Sequence, residues 1–166
     1  MLADIGLVLS VVATGLWSGL LLTLTTLLHP MYAPREAGGF AEDMRRFLPI
    51  ARRSPTNYVL VVLLLVAPVI ALIGLWPQPS GAPFVLTAVG LALTVVGPLL
   101  TSRYFAEPNY DIILAWDPNA VPGDWTIARG RYFRLNWIRA ALTWSAFALF
   151  VVAAYLHLRQ GLVGAG

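Results

Sequence analysis

Residues 54–102 read SPTNYVLVVLLLVAPVIALIGLWPQPSGAPFVLTAVGLALTVVGPLLTS, and no charged side chain occurs between Arg53 and Arg103. A helix needs about 20 consecutive apolar residues to cross the hydrocarbon of a bilayer. This stretch is long enough for two such helices. Trp76-Pro77-Gln78-Pro79-Ser80-Gly81 divides it, because clustered Pro and Gly mark a tight turn. The stretch therefore reads as a helical hairpin in a membrane.

The same pattern extends outward. No charge occurs between Asp4 and Arg35, and a further apolar run covers Leu135 to Leu158. These runs predict helices at about 4–28, 57–76, 83–104 and 124–158, the last beginning before the membrane. The expected fold is all-α: a polytopic membrane protein with four transmembrane helices, forming one domain over residues 1–166. The start Met1-Leu2-Ala3-Asp4 lacks a basic region and its apolar run is long for a signal peptide, so the first helix is expected to be retained.

Composition agrees. Of 166 residues, 58% are hydrophobic and 11% charged, against about 25% charged in soluble domains. That excludes disorder and an ordinary water-soluble globule. Cysteine is absent, which excludes thiol–disulfide exchange and thiolate metal sites. All eleven basic residues are Arg, scattered in the segments that flank apolar runs, so the +3 net charge does not argue for nucleic acid. Arg35, Arg45, Arg46, Arg52 and Arg53 lie in the 30–56 connection. Arg129, Arg131 and Arg134 lie in the 105–134 connection, with Arg103 beside it. Only Arg159 lies in the tail. The positive-inside bias puts both long loops in the cytoplasm and both termini outside, in a bacterial inner membrane.

The long loops have their own pattern. Phe40, Met44, Phe47 and Leu48 recur at helical spacing between charged residues, predicting a short amphipathic helix at the membrane interface. Pro108 to Trp116 predicts a second short helix that starts at Pro108. Asp124 is placed to cap the last helix. On helix one, Gly15, Ser18, Gly19, Leu22, Thr25, Thr26 and His29 fall on one stripe that is expected to face protein.

Few polar groups enter the spans. Arg139 is the one charged residue expected well inside a span, with Asn136 and Thr143 on its face of helix four. Two readings stay open. Arg139 snorkels to lipid phosphate, or it faces inward and stabilises a ligand. His29, followed by Pro30, is expected to end helix one, as a helix-end contact or as a proton-transfer group. With Asn57 and Tyr58, Arg103 and Tyr104, and Asn136 and Arg139, it predicts a polar cup at one membrane face. His157 falls at the far end of helix four, so the two histidines cannot share a haem or a metal. No metal and no cofactor are expected. The spans carry no Asp or Glu relay, which counts against a proton-coupled transporter.

The chain also resembles a family, the small four-helix membrane proteins of the DUF1772 or anthrone-oxygenase-like group. The resemblance lies in Gly15-Leu16-Trp17-Ser18-Gly19, His29-Pro30 and Phe40…Phe47-Leu48-Pro49. It continues in Glu107-Pro108-Asn109…Trp116-Asp117-Pro118…Asp124-Trp125…Arg129…Arg131-Tyr132…Asn136-Trp137-Ile138-Arg139. It implies a compact four-helix bundle and, for some members, oxidation of anthrones to anthraquinones without a recognised cofactor.

Together these readings predict a membrane-embedded, cofactor-independent oxygenase acting on a small apolar aromatic of anthrone type. His29 would remove the acidic C–H proton, while Arg139 and Asn136 stabilise the enolate. Trp125, Trp137 and Tyr104 would supply ring contacts, with Asn57, Tyr58, Arg103, Asn109 and Thr143 completing the lining. The competing expectation is a lipid- or small-molecule-binding bundle, or an accessory subunit of a membrane complex. The expected partners are the bilayer and an apolar aromatic or lipid-like ligand, without nucleic acid. A homo-oligomer stays open.

Overall fold

The computed structural model of the chain describes residues 1–163. It is helical, with α1 at Leu2–Tyr32, α2 at Ala37–Arg53, α3 at Pro55–Leu75, α4 at Ala82–Leu114 and α5 at Trp125–Val163. The helices α1, α3, α4 and α5 are long and apolar enough to cross a membrane. The chain is thus a four-span bundle, with α2 as a non-spanning helix between the first two spans. In the bundle α1 packs on α3 and α5, and α4 packs on α5 and α3.

Large apolar side chains such as Leu16, Val62, Val89 and Val152 point outward, while the inside of the bundle combines small ones, including Ala13, Ala67, Ala71, Ala140 and Ala153, with Leu7, Leu21, Leu64 and Phe150. The apolar exterior follows from the solvent. Lipid tails are as apolar as leucine, so helices associate through close packing rather than through escape from water. Polar side chains on the inner faces bond back to their own helix. Ser10 donates to the Gly6 carbonyl at 2.7 Å and Thr14 to the Ser10 carbonyl at 2.6 Å. Such internal satisfaction is what a water-free core requires.

Two spans run further than their prolines suggest. Helix one does not stop at His29-Pro30. Its turn widens to a π-helical one over Leu24–Leu28, where the His29 N–H bonds the Leu24 carbonyl, and the helix then continues to Tyr32. Helix three does not stop at Tyr104. A π-helical stretch over Val95–Ala106 surrounds Pro98 and leads directly into Glu107–Leu114, so the segment expected as a separate short helix is the end of α4. A proline removes one N–H and presses on the carbonyl a turn before it. A wider turn relieves that contact without ending the helix. The Thr101 hydroxyl helps by donating to the Val96 carbonyl, five residues back, at 2.8 Å.

The amphipathic pattern of α2 is real, but its partner is protein rather than a membrane surface. Phe40, Met44 and Leu48 are fully buried against Tyr110, Ile113, Trp116 and Tyr132. Charged groups tie the same layer together. Arg35 bonds Asp43 at 2.9 Å, and Arg129 bonds the Ala33 carbonyl at 3.0 Å. Both long connections therefore form one cap at a single end of the bundle.

The expected stripe on α1 is half correct. Ser18, Thr25 and His29 are buried, whereas Gly19, Leu22 and Thr26 are exposed. The closest backbone approach lies at the opposite end of the bundle. A methyl group on Gly6 would fall 2.3 Å from the Ala71 backbone nitrogen, and one on Gly74 would fall 2.3 Å from that of Ala3. Gly19 faces open space. Gly6→Ala should therefore push α1 and α3 apart and cost about 1–3 kcal/mol. Gly19→Ala should be neutral or slightly stabilising. Thermal unfolding of both variants in the same detergent checks this, and an unchanged Tm for Gly6→Ala would refute the assigned crossing.

Candidate functional site

Arg139 decides how the capped end is organised. Its Nη1 donates to the Asn136 side-chain oxygen at 3.1 Å and to the Tyr110 hydroxyl at 3.2 Å. Both partners belong to the bundle, so the guanidinium faces inward rather than snorkelling to the surface. Asn136 is fully buried, and its Nδ2 lies 3.3 Å from His29 Nε2. The direction of each bond follows from chemistry. Arginine has donors only, so the Asn136 oxygen must face it and the Asn136 NH₂ must face His29. His29 Nε2 then accepts, and the ring carries its proton on Nδ1.

His29 is 5% exposed and packs between the rings of Tyr132 at 5.5 Å and Phe133 at 4.5 Å. Its Nδ1 has no partner. The widened turn ahead of His29 sets the ring on the inner face of α1 although proline follows it. His157 instead pairs with Asp4 at 3.2 Å at the other end of the bundle. Twenty-one positions of helix α5 separate Asn136 from His157, about 30 Å at 1.5 Å per residue. The two histidines are as far apart as their places in the sequence suggest. Among the described residues no group of three or more metal-ligating side chains is brought together.

Beside Arg139 lies a cleft of about 370 Å³ that is walled mainly by apolar groups. Trp17, Leu21 and Leu24 of α1 form one wall, and Phe47, Leu48 and Ala51 of α2 form the roof. Asn57, Tyr58 and Val61 of α3 face Pro98, Leu99, Ser102 and Arg103 of α4. Tyr110, Tyr132 and Arg139 close the inner end. The slot between α3 and α4 has a local cause. Partway along both spans the Thr94 hydroxyl lies 3.3 Å from the Leu64 carbonyl and joins the two helices. Beyond it α4 passes into its widened stretch, and its contacts with α3 become few.

The electrostatics are uneven. Arg52 bonds Glu107 at 2.6 Å and Asp111 at 2.7 Å, which pins α2 to α4 above the cleft. Burial alone would depress the Arg52 pKa, but the bonds to these carboxylates outweigh it and hold the guanidinium above its ordinary value. Glu107 is thus already engaged. Four buried polar atoms on cleft-lining residues have no hydrogen-bond partner: Trp17 Nε1, Ser102 Oγ, the Tyr132 hydroxyl and Arg139 Nε. Unpaired polar atoms in an apolar setting are costly, so their gathering around one cleft is informative.

Not every expected residue belongs to this site. Asn57, Tyr58, Arg103 and Arg139 line the cleft. His29 and Asn136 stand behind its inner end, in a second layer. Asn109 is buried and donates to the Ala128 carbonyl at 3.0 Å, holding α4 to α5. Thr143 donates to the Arg139 carbonyl within its own helix. Tyr104 is 66% exposed and Trp137 45% exposed, on outer surfaces. Trp125 packs against Phe40 in the cap, with its rings tilted, under Arg129. None of these three aromatics lines the cleft. The rings that do are Trp17, Phe47, Tyr58, Tyr110 and Tyr132. Tyr132 was legible, because Tyr132, Asn136 and Arg139 follow one face of α5 at i, i+4 and i+7. Trp17 and Ser102 gave no signal of their own.

Compared with known proteins, the chain matches no family model, no curated protein and no solved structure.

The bond directions give a direct test. Nitrogen-15 NMR of the protein labelled at histidine should show His29 neutral, with Nδ1 protonated and Nε2 bare. A proton on Nε2 would contradict the Arg139–Asn136–His29 chain.

Proposed function

We propose that the protein binds a small, largely apolar molecule from the bilayer, with the acceptor atoms of its polar end set against Arg139. One observation carries this reading: the unpaired polar atoms of Trp17, Ser102, Tyr132 and Arg139 belong to residues around a single apolar cleft. A cleft of about 370 Å³ falls in the range of small-molecule sites, which are mainly apolar with a few polar groups that set orientation. The slot between α3 and α4 suits entry from the lipid. The arginine bias supports a cytoplasmic position for the capped end, with the termini outside.

The resemblance to anthrone-oxygenase-like proteins suggests a substrate and a reaction, and we extend the proposal to them. An anthrone has one carbonyl and an acidic CH₂ between aromatic rings. Loss of a proton to water or hydroxide entering the cleft gives an enolate, whose oxygen Arg139 would stabilise with support from Tyr110 and Asn136. The enolate reacts with dioxygen, and the balanced outcome is anthraquinone plus water. No cofactor enters this scheme. His29 has a different part here from that of a base touching substrate. Its Nε2 lone pair is taken by Asn136, and it holds the amide that orients Arg139.

A specific observation favours the reading in which the ligand is held without turnover. The only carboxylate among the cleft-lining residues, Glu107, is paired with Arg52, and no imidazole lines the cleft. Binding and reaction are separable by experiment. Anthrone titrated into the protein in nanodiscs should quench tryptophan fluorescence saturably, at one molecule per chain. Arg139→Gln should weaken that binding about tenfold or more, the scale of losing a charged hydrogen bond. Oxygen uptake by the wild type, reduced about a hundredfold or more in Arg139→Gln, would support the oxygenase. Binding with no oxygen uptake would favour the non-catalytic reading. Absence of saturable binding would refute both.

A further inference from the structure

We infer that the molecule held in the cleft is an anion, with a single negative charge at the end that meets Arg139; this deepens the binding proposal above and rests on it. Three arginines are among the cleft-lining residues, Arg52, Arg103 and Arg139, together with one acidic residue, Glu107. Arg52 is neutralised by Glu107 and Asp111. No carboxylate lies within 4 Å of Arg139 or Arg103 among the described residues. Arg139 is half-buried in a membrane span and bonded only to neutral groups, Tyr110 and Asn136. Its Nε–H has no hydrogen-bond partner among the described residues.

A cation in a spanning helix with no counter-charge is expensive, and such residues normally pair with an opposite charge or line a ligand path. Here the protein offers neutral acceptors on one edge of the guanidinium and leaves the Nε donor unused. A planar carboxylate or enolate fits this arrangement, because a guanidinium presents parallel N–H groups to two oxygens. The Tyr132 and Ser102 hydroxyls, on residues that line the same cleft, are also buried without a partner among the described residues. Arg103, exposed at the mouth, adds a positive field along the entry route. The remaining walls are apolar, so the anion must carry an apolar body, aromatic or alkyl.

Matched pairs of probes test this in nanodiscs of phosphatidylcholine, with empty nanodiscs as the partition control. The pairs are 2-naphthoate with 2-naphthamide, and decanoate with decanamide. Each pair keeps its shape and changes its charge. At least one acid should bind the wild type ten times or more tighter than its amide, and the tighter acid identifies an aromatic or an alkyl body. Arg139→Gln should abolish that preference, weakening the acid about ten times more than it weakens the amide. Arg139→Lys should keep part of it. The wild-type comparison stands even if a variant does not fold. Equal binding of acids and amides would overturn the charge assignment and leave the cleft as a neutral-ligand site. Binding of none of the four would overturn both the charge assignment and the binding proposal.

Discussion

A guanidinium inside a membrane-spanning helix must have acceptors and a neutralising environment, and the capped end of this bundle is arranged around that requirement. Arg139 reaches Tyr110 on α4 and Asn136 on its own helix. Asn136, with its oxygen committed to the cation, turns its NH₂ to His29 on α1. One chain of directed bonds thus links three of the four spans. Each link depends on the one before it, because reversing the amide would set an NH₂ against a guanidinium and leave His29 facing an oxygen. Water is absent from the hydrocarbon as a substitute partner, so such a network is worth more here than on a soluble surface.

The network needs both prolines to be absorbed. If α1 ended at His29, Tyr32 would not be set against Phe47 of α2. If α4 ended at Tyr104, Tyr110 would not stand beside Arg139. The widened turns at Leu24–Leu28 and Val95–Ala106 solve both problems. They also have a spatial consequence. The second accompanies the parting of α4 from α3 beyond Thr94, and the cleft opens in the gap. The amphipathic helix α2 then covers it, held down by Arg52 against Glu107 and Asp111.

Some of this was legible in the sequence, and for physical reasons. Spans follow from long charge-free runs, because charges are excluded from hydrocarbon over a fixed thickness. His29, Asn136 and Arg139 stood out because polar groups are scarce. The continuation of α1 past Pro30 and of α4 past Tyr104 was not legible, since a proline's lost N–H and its clash with the preceding turn read as a stop unless a wider turn absorbs them. The inner face of α1 was legible only in part, through Ser18, Thr25 and His29, and that of α3 was not. Beyond Tyr58, α3 is apolar all round, so periodicity does not separate lipid from protein, and the true contact at Gly6 and Gly74 was hidden among many small residues. Aromatics misled for the same reason: Trp137 and Tyr104 face outward, while Trp17 and Tyr132 line the site. The apolar face of α2 was visible in Phe40, Met44 and Leu48, but whether it met lipid or protein was not.

The claim on which the account rests is that the cleft beneath Arg139 is a ligand site rather than a packing defect. Ser102 lies on its wall, between α3 and α4, and Ser102→Trp would place an indole in the space a ligand needs. The decisive measurement is anthrone affinity for wild type and Ser102→Trp in nanodiscs, with thermal stability recorded alongside. The account predicts saturable binding to the wild type, at least tenfold weaker in the variant, with the Tm little changed. Binding that is undiminished when the cleft is filled would contradict it.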